Sequence, residues 1–453
     1  MLETLLRVGG FRRAVLLLRA ADGDGARRRL VEEVLASEAF ADLDRGSIEA
    51  MLARGQLVAV AGDLDSGRLD AAGQAHWSEV DTVVHCAASV SFEEPLDEIV
   101  PLNSLGPVRL LESLREAGSA PHFVHVSTAY AADCRQAVVP EDGPRHPGLA
   151  DLDPQATMAT ARSWRAGVEA ESPSSAWQEE LARKGRRYAM EAGWPDTYAL
   201  TKALGERLLT ERSEATTIVR PTIIESALRQ PRPGWLEGIK VADPLILAYA
   251  ARGLTHLPGR ADNLIDIVPV DQVANACVAA AAYPPRERLR TIAVASSSRN
   301  PLTLGELADQ IKDYFRREPL RRRDGSPIEI GELRFVDRKL ALRKTMRRSA
   351  LAGAAARAGT VAPLPAATER KLRRNGRLAA QVTRMVKIYG PYTELSCAFD
   401  DRNARALAAA MDPADRELLP FDTATVEWED YLQAGHLPAV HRLAQAQAPS
   451  PQR

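Results

Sequence analysis

Short apolar runs alternate with amphipathic stretches over the first 130 residues, and this alternation restricts the fold more than any other feature of the chain. The runs are AVLLL (14–18), QLVAVAGDL (56–64), VDTVVHCAA (80–88) and HFVHVSTAY (122–130), and a later one is ATTIVRPTII (215–224). Continuous apolar strands separated by helices are typical of a parallel sheet that is covered on both faces. The sequence therefore predicts an α/β fold built on a doubly wound parallel sheet.

The length of 453 residues is too great for one ordinary core and suits two or three domains. We predict a sheet domain over 1–300, interrupted by a polar, helical insertion at about 135–195 and carrying a substrate-binding segment at about 226–265. A smaller helical, basic domain is expected over 301–440, followed by a disordered tail over 441–453. The insertion would lie over the carboxyl ends of the strands, where such sheets bind ligands.

The composition excludes several classes of protein. A formal net charge of -1 gives no general attraction to nucleic acid. The four cysteines are widely spaced, which argues against a zinc site or a disulfide framework and fits a reducing cytosol. No apolar run approaches the roughly 20 residues of a membrane span, and no secretory leader is visible. We therefore expect a cytoplasmic protein that binds no metal.

The segment TYALTKALGE (197–206) places Tyr198 and Lys202 four residues apart, in a chain with few lysines among its 59 basic residues. On a helix, residues four apart share one face. An ammonium near a phenol favours the phenolate, and a tyrosine tuned in this way can exchange a proton with a carbonyl oxygen. The spacing alone arises often by chance, so its position along the chain matters.

Two neighbouring features support a catalytic interpretation. Ser127 and Thr128 follow a predicted strand, so their hydroxyls would emerge at the carboxyl edge of the sheet, and Arg-Pro-Thr (220–222) ends the next strand. This order of elements resembles the extended short-chain dehydrogenase/reductase superfamily, which has a Rossmann-like fold. The alternative is that Thr128 is an ordinary strand-end hydroxyl and Tyr198 a half-buried helix residue.

Longer stretches resemble the alcohol-forming fatty acyl-CoA reductases. These stretches are 83–98, 125–131, 195–206, 218–226, 231–253, 266–276, 392–407 and 421–432. The resemblance implies a two-step, NADPH-dependent reduction of long-chain acyl-CoA to an aldehyde and then to a primary alcohol. It also implies that Tyr198 is the proton donor, that Lys202 is its partner and a ribose ligand, and that Thr128 steadies the developing oxyanion.

One part of the expected fold is missing from the front of the chain. Such folds open with a strand, a glycine-rich phosphate loop and a helix, whereas residues 1–19 predict the first helix, a Gly-Gly turn and the second strand. We expect the true coding frame to begin roughly two dozen residues upstream, the length of a strand and a loop. A stop codon directly before Met1 in the genomic DNA would contradict this expectation, and the protein would then bind dinucleotide poorly.

The cofactor residues follow from the same resemblance. Arg19 ends the second strand, where an arginine accommodates the 2′-phosphate of NADP, so NADPH is the favoured cofactor. The alternative is that Arg19 is a solvated side chain that caps the strand. Asn103 would either brace the site or cap a helix. Besides Tyr198 and Lys202, three short segments are predicted to contact the cofactor. Asp63 and Leu64 lie in the turn that contacts adenine, and Ala87 and Ala88 lie in the turn that closely approaches the nicotinamide half. Pro221, Thr222 and Ile223 would flank the carboxamide.

Two stretches bear on substrate and partners. Residues 241–254 could form the wall of an acyl tunnel or ordinary core. Residues 334–387 are strongly basic and could be a solvated surface, attract CoA phosphates or make weak, salt-sensitive contact with an anionic membrane. Three alternatives to the alcohol-forming reaction remain open: a reductase that stops at the aldehyde, one that uses acyl-carrier-protein thioesters, and a non-catalytic lipid- or membrane-binding relative that has lost its cofactor loop.

Overall fold

The computed structural model describes residues 1–69, 75–171, 176–251, 253–322, 324–361 and 366–446. The chain forms two compact units, and each is built from three stretches of sequence. The first unit is Met1–Thr222, Asp271–Ala295 and Phe399–Thr423, and the second unit is Ile223–Val270, Ser296–Ala398 and Ala424–Arg453. This division differs from the predicted boundary near residue 300, because the 226–265 segment belongs to the second unit and a carboxyl-terminal stretch belongs to the first.

The strands are β1 (Ala14–Leu18), β2 (Leu57–Asp63), β3 (Arg68–Leu69), β4 (Thr82–His85), β5 (His122–Val126), β6 (Val138–Val139), β7 (Thr216–Pro221), β8 (Ile223–Glu225), β9 (His256–Pro258), β10 (Ile267–Pro269), β11 (Leu289–Val294), β12 (Arg334–Val336) and β13 (Ala398–Phe399). The helices are α1 (Leu2–Val8), α2 (Gly23–Arg29), α3 (Arg45–Ala53), α4 (Leu96–Val100), α5 (Gly106–Glu116), α6 (Pro154–Glu171), α7 (Ala176–Ala192), α8 (Thr197–Arg212), α9 (Asp243–Ala250), α10 (Val270–Ala282), α11 (Leu304–Arg317), α12 (Arg338–Val361), α13 (Ala366–Thr393), α14 (Arg402–Ala410), α15 (Pro413–Leu418), α16 (Trp428–Asp430) and α17 (Leu437–Ala446).

Parallel strands form the centre of the first unit, as predicted. Four of them pair in the order β11-β7-β5-β4, and β1 pairs in parallel with β2 in a second sheet. In the described residues β1 and β4 do not pair with each other, so the parallel strands are divided into two sheets. The division falls at the position that the strand order of a Rossmann-like fold gives to its first strand.

The core of the first unit lies against the four-stranded sheet. β7 is buried along its whole length, and Phe123 of β5 is completely enclosed in a cluster with Leu64, Leu111 and Leu209. Burying a phenylalanine side chain stabilises a fold by about 1.5–3 kcal/mol, which explains why these runs are continuously apolar. Such burial fixes the strands whose carboxyl ends carry the predicted site residues.

The insertion between β6 and α8 is mostly helical, and a tryptophan attaches its end to the turn that follows β5. α6 and α7 pack against each other. The indole Nε1 of Trp194, which follows α7, donates a hydrogen bond to the carbonyl oxygen of Ala131 at 3.0 Å. The ring of His146 stacks on the same indole with 3.9 Å between centroids. The insertion is therefore fixed to the turn that follows β5.

The second unit contains two short parallel pairs, β8 with β10 and β9 with β12, together with the long helices α12 and α13, which pack along each other. The basic stretch 334–387 comprises β12, α12 and most of α13. The predicted disordered tail is wrong as far as Ala446, because α17 occupies these residues, and 447–453 lie outside the described residues. None of the helices in the described part of the chain combines the length and apolar character needed to cross a membrane.

Candidate active site

Helix α8 carries the Tyr-Lys pair in a fixed position against the sheet. The carboxylate of Asp196 caps the helix by accepting a hydrogen bond from the Ala199 amide at 2.9 Å. Tyr198 therefore lies in the first turn, and Lys202 follows one turn later on the same face. α8 is buried over most of its length, and it packs against the short turn Ala129–Ala131 that follows Thr128.

Lys202 reaches into the sheet and meets two histidines. Its Nζ donates to Nε2 of His125 at 3.3 Å, and Lys202 is 1% exposed. His125 of β5 is paired in register with His85 of β4, and their rings stack with 5.2 Å between centroids. The three basic groups thus form one enclosed cluster at the junction of α8 with the sheet.

Burial controls the protonation of this cluster. Burial and the Lys202 ammonium lower the pKa of His85 to about 3 and hold the pKa of His125 well below its usual range, so both imidazoles are neutral. Burial also lowers the pKa of Lys202 to about 8, although the Glu206 carboxylate opposes this change. Lys202 therefore holds its charge at neutral pH with a small margin.

A buried ion pair lies one turn farther along α8. Glu206 binds the Arg220 guanidinium through two hydrogen bonds of 2.9 and 2.5 Å, and both side chains are almost completely enclosed. The same guanidinium donates to the carbonyl oxygen of Gly143 at 3.2 Å. These contacts join α8 to β7 and support the charge of Lys202 from the side of Glu206.

The environment of Tyr198 corrects one prediction. Burial and the nearby Asp196 carboxylate raise the pKa of Tyr198 above its ordinary value, whereas the sequence suggested that Lys202 would lower it. The ammonium of Lys202 is directed at His125 instead. The phenol is therefore protonated at neutral pH, and this is the form that can donate a proton. Its half-buried ring packs edge to face on Phe92, with 5.7 Å between centroids.

Two hydroxyls follow β5, and they differ in their partners. Thr128 Oγ1 accepts a 3.4 Å hydrogen bond from the amide of Tyr130. Ser127 Oγ is buried and has no hydrogen-bond partner among the described residues. Because side chains alternate along a strand, Ser127 lies on the same face as His125. Ser127 is therefore a second candidate, beside Thr128, for a hydroxyl that meets the substrate oxygen.

Asn103 connects the loop after β4 to α8. Its Oδ1 accepts from the amide of Ser89 at 2.8 Å, and its Nδ2 donates to the Ser89 carbonyl at 3.0 Å and to Thr201 Oγ1 at 3.2 Å. These bonds make Asn103 a brace, which was one of its two predicted roles. They hold the segment that contains Ala87 and Ala88, of which Ala87 is exposed and Ala88 half-buried.

Arg19 and Asp63 meet at the carboxyl ends of neighbouring parallel strands. Arg19 follows β1 directly, Asp63 ends β2, and the guanidinium lies 3.1 Å from the carboxylate. Although burial opposes it, hydrogen bonds from the Asp65 amide and Arg19 hold the pKa of Asp63 below its usual range. Arg19 remains 65% exposed in its side chain, so its charge is open to a ligand.

The other predicted cofactor residues are placed differently. The side chain of Leu64 is 7% exposed and belongs to the hydrophobic cluster around Phe123, so it serves the core. Pro221 and Thr222 end the β7 segment of the first unit and are buried, and Ile223 begins β8 in the second unit and is buried as well. Because these residues are buried, they would contact a ligand only through backbone atoms, or only if the strand end were exposed.

Sequence reasoning missed the two histidines beneath Lys202. His85 and His125 each end an apolar run or lie within one, and periodicity treats such residues as core. The informative signal was that β4 and β5 each carry a histidine near the carboxyl end. In the parallel sheet these two residues are register partners, so their rings lie side by side. The unpartnered hydroxyl of Ser127 has no sequence signal beyond its place at the strand end.

Comparison with known proteins decides the family. The family model described as male sterility protein matches residues 1–277, and a second model of the same description matches 364–443. Fatty acyl-CoA reductase 1 of Arabidopsis thaliana is 30% identical, over 97% of this chain and 93% of its own length. This chain belongs to the fatty acyl-CoA reductase family.

One further relative and one solved structure extend the comparison. The alcohol-forming fatty acyl-CoA reductase of Simmondsia chinensis is 29% identical, over 94% of this chain and 90% of its own length. The terminal R domain of the myxalamid PKS-NRPS pathway, a crystal structure, covers 99% of this chain and 88% of its own with a TM-score of 0.61 and 17% identity, which supports the fold alone. As a member of the reductase family, this chain is an oxidoreductase that uses a nicotinamide cofactor.

Proposed function

We propose that this protein reduces long-chain acyl-CoA thioesters with NADPH, first to the aldehyde and then to the primary alcohol. The observation that carries the proposal is the placement of Tyr198 and Lys202 on one face of the buried helix α8, with Lys202 bound to β5 just before Ser127 and Thr128. The names of the relatives from Arabidopsis thaliana and Simmondsia chinensis support the same substrate class.

The residues of the chain fit a nicotinamide cofactor at the carboxyl ends of the parallel strands. The exposed guanidinium of Arg19 and the carboxylate of Asp63 lie at neighbouring strand ends, and small residues follow β4. Lys202 supplies an ammonium that suits a ribose hydroxyl. Arg19 favours NADPH, because a guanidinium binds a 2′-phosphate and an acidic residue in its place would repel it.

The proposed chemistry assigns a separate task to each side chain. NADPH supplies the hydride for both reductions. The hydroxyls of Thr128 and Ser127 would donate hydrogen bonds to the carbonyl oxygen as negative charge develops on it. The protonated phenol of Tyr198 would then give its proton to that oxygen, and the hemithioacetal expels CoA thiol to leave the aldehyde. The same groups would act again on the aldehyde carbonyl.

A product assay tests the proposal and separates the alternatives. The purified 453-residue protein is incubated with palmitoyl-CoA and NADPH, and NADPH oxidation, thiol release and products are measured together. The proposal predicts hexadecanol, with two NADPH consumed for each CoA released. One NADPH per CoA with free aldehyde would show that the reaction stops early. Activity with the acyl-carrier-protein thioester but not with palmitoyl-CoA would identify the other donor, and no NADPH oxidation with either would support a non-catalytic relative.

We further propose that the basic stretch 334–387 makes weak peripheral contact with anionic membranes. It holds few acidic residues, and each cation near an anionic surface contributes about 1 kcal/mol of attraction. No tryptophan or phenylalanine lies between 336 and 398, so the apolar anchors of an interfacial helix are missing there. Sedimentation with phosphatidylserine vesicles should fall as salt rises, and binding that salt does not change would contradict this proposal.

A further inference from the structure

Three acidic or basic side chains from distant parts of the sequence converge inside the second unit. Glu225 ends β8, Asp243 begins α9, and His436 ends the helical segment that precedes α17. Nε2 of His436 lies 3.4 Å from Oδ1 of Asp243 and 3.9 Å from Oε2 of Glu225. None of the three side chains is more than 1% exposed.

A chain of hydrogen bonds assigns the tautomer of His436. The Tyr431 hydroxyl donates to the carbonyl oxygen of Ser226 at 2.8 Å, and its oxygen accepts a hydrogen bond from Ser226 Oγ at 3.4 Å. Ser226 Oγ in turn accepts from Nδ1 of His436 at 3.2 Å. The proton of the neutral imidazole therefore lies on Nδ1, and Nε2 presents a lone pair to the two carboxyl groups.

Backbone amides orient both carboxyl groups in the same way. Oε1 of Glu225 accepts from the amide of Ala242 at 3.1 Å, and Oδ2 of Asp243 accepts from the amide of Lys240 at 3.0 Å. The remaining oxygen of each group faces His436. In each of the three side chains one polar atom is held by a hydrogen bond, and the other points toward the centre of the cluster. Hydrogen bonds of this kind orient the ligands in metal sites.

The inward atoms leave an electrostatic problem. Asp243 Oδ1 and His436 Nε2 are buried and have no hydrogen-bond partner among the described residues. Three electron-rich atoms so close together repel one another, and burying charge without compensation is costly. Burial raises the pKa of Asp243 to about 7 and that of Glu225 well above its usual range, so protons are the competing occupants.

We propose that Glu225, Asp243 and His436 bind a divalent transition-metal ion, and that Zn²⁺ fits best. A tetrahedral Zn²⁺ with bonds of about 2.0–2.1 Å separates its ligand atoms by roughly 3.3–3.4 Å. The His436–Asp243 separation matches this value, whereas the Glu225 oxygen lies 3.9 Å from His436 Nε2, so its carboxylate has to shift toward the ion. One imidazole with two carboxylates is a ligand set suited to Zn²⁺, with Mn²⁺ and Fe²⁺ as chemical neighbours.

The ion would act as a structural link within the second unit. It joins the end of β8, the start of α9 and the helical segment Tyr431–His436, which are far apart in sequence. The loop between β8 and α9 already approaches the helical segment closely, since a Cβ on Gly234 would lie 2.6 Å from the carbonyl oxygen of Gly435. Metal binding to the folded chain would therefore raise its stability by linkage.

The test measures metal binding by the 453-residue protein. The protein is stripped with chelator, dialysed and titrated with Zn²⁺ alone by calorimetry, and its thermal unfolding is followed with and without Zn²⁺. We expect one equivalent to bind and the Tm to rise. Co²⁺ in place of Zn²⁺ should give visible absorption bands of a low-symmetry site with nitrogen and oxygen ligands.

Variants locate the ion. Glu225→Gln and His436→Asn should weaken Zn²⁺ binding by at least about 100-fold, and Ser226→Ala, which removes support for the imidazole, by about 10- to 100-fold. His441→Asn is the matched control, because His441 lies on the adjoining α17 and bonds Tyr314 instead. It should keep full binding. A stripped wild-type protein that binds neither Zn²⁺, Mn²⁺ nor Co²⁺ and shows no Tm change would overturn the proposal and leave protons as the occupants.

Discussion

At the scale of single residues, the candidate site depends on how burial affects the protonation of Lys202 and Tyr198. The ammonium is enclosed between β5 and α8 and is supported by the imidazole of His125, while Glu206 supplies the opposing charge on its own helix. Tyr198 keeps its proton because its surroundings disfavour the phenolate. In the proposed mechanism Lys202 is therefore the charged cofactor ligand, and Tyr198 is the neutral proton donor.

The charge of Lys202 predicts a pH limit on cofactor binding. With a pKa lowered to about 8, the side chain is an ammonium below that pH and a neutral amine above it. Since the free enzyme sets the pH dependence of kcat/KM, that quantity measured for NADPH should fall as pH rises through about 8. A profile that stays flat to about pH 10, where an ordinary lysine titrates, would contradict this assignment.

Arg19 predicts the choice between the two nicotinamide cofactors. Arg19→Ala removes a charge-assisted contact to the 2′-phosphate, so KM for NADPH should rise about 10- to 100-fold while KM for NADH changes little. Steady-state kinetics with each cofactor measures the effect. Arg13→Ala is the matched control, because Arg13 precedes the same strand at its opposite end and pairs with Glu79. An equal rise in KM for NADPH in both variants would show that Arg19 has no specific role in the cofactor site.

At the scale of elements, the position of α8 depends on its unusually close approach to the chain segment that follows α4. A Cβ on Gly205 would lie 2.7 Å from the carbonyl oxygen of Asn103 and 3.3 Å from the Cα of Ser104. Ser104 Oγ also donates to the carbonyl oxygen of Thr201 at 2.8 Å. This approach lets Asn103 brace both α8 and the loop after β4.

Gly205→Ala should therefore push α8 away from its neighbour. We expect a loss of about 1–3 kcal/mol in the free energy of unfolding, together with lower kcat, because the pair on α8 moves with the helix. Gly167→Ala in α6 is the control, since among the described residues nothing besides its own helix backbone and chain neighbours lies within 4 Å of the added methyl group. It should raise stability by about 0.4–1 kcal/mol and leave kcat unchanged. Equal stability of the two variants would show that the close approach does not constrain α8.

The elements also show what sequence patterns can and cannot predict. The apolar runs predicted β1, β2, β4, β5 and β7, because a parallel strand covered on both faces reads as a nearly continuous apolar run. Pattern could not predict that Lys202 would bind His125, since that contact joins residues 77 positions apart. For the same reason the convergence of Glu225, Asp243 and His436 carried no sequence signal.

At the scale of the whole molecule, the chain passes repeatedly between its two units. The first unit takes up Asp271–Ala295 and Phe399–Thr423 after the chain has begun the second. Within the first unit Glu141 helps to hold the last of these stretches, because its carboxyl group accepts hydrogen bonds from the amides of Ala293 and Ala404 at 2.7 and 3.3 Å. A linear division of the sequence at one boundary could not predict this exchange, since apolar periodicity reports local burial and not the partner.

The core around β5 predicts the stability of the first unit. Phe123→Ala removes a completely buried ring from the cluster that also contains Leu64, so the free energy of unfolding should fall by about 3–5 kcal/mol. Val138→Ala, at a side chain that is 56% exposed, should change it by less than about 0.5 kcal/mol. Urea unfolding of both variants measures the difference, and similar midpoints would place Phe123 outside the stabilising core.

The claim on which the whole account depends is that the phenol of Tyr198 delivers the proton to the reduced carbonyl. Tyr198→Phe removes that proton, so kcat with palmitoyl-CoA should fall by about 10²–10⁴-fold while NADPH binding stays nearly unchanged. Tyr188→Phe, which removes a phenol that contacts Thr157 in the insertion, is the control and should keep wild-type turnover. The decisive measurement is single-turnover reduction by the two variants at saturating NADPH. A Tyr198→Phe protein that reduces the thioester at the wild-type rate would contradict the account.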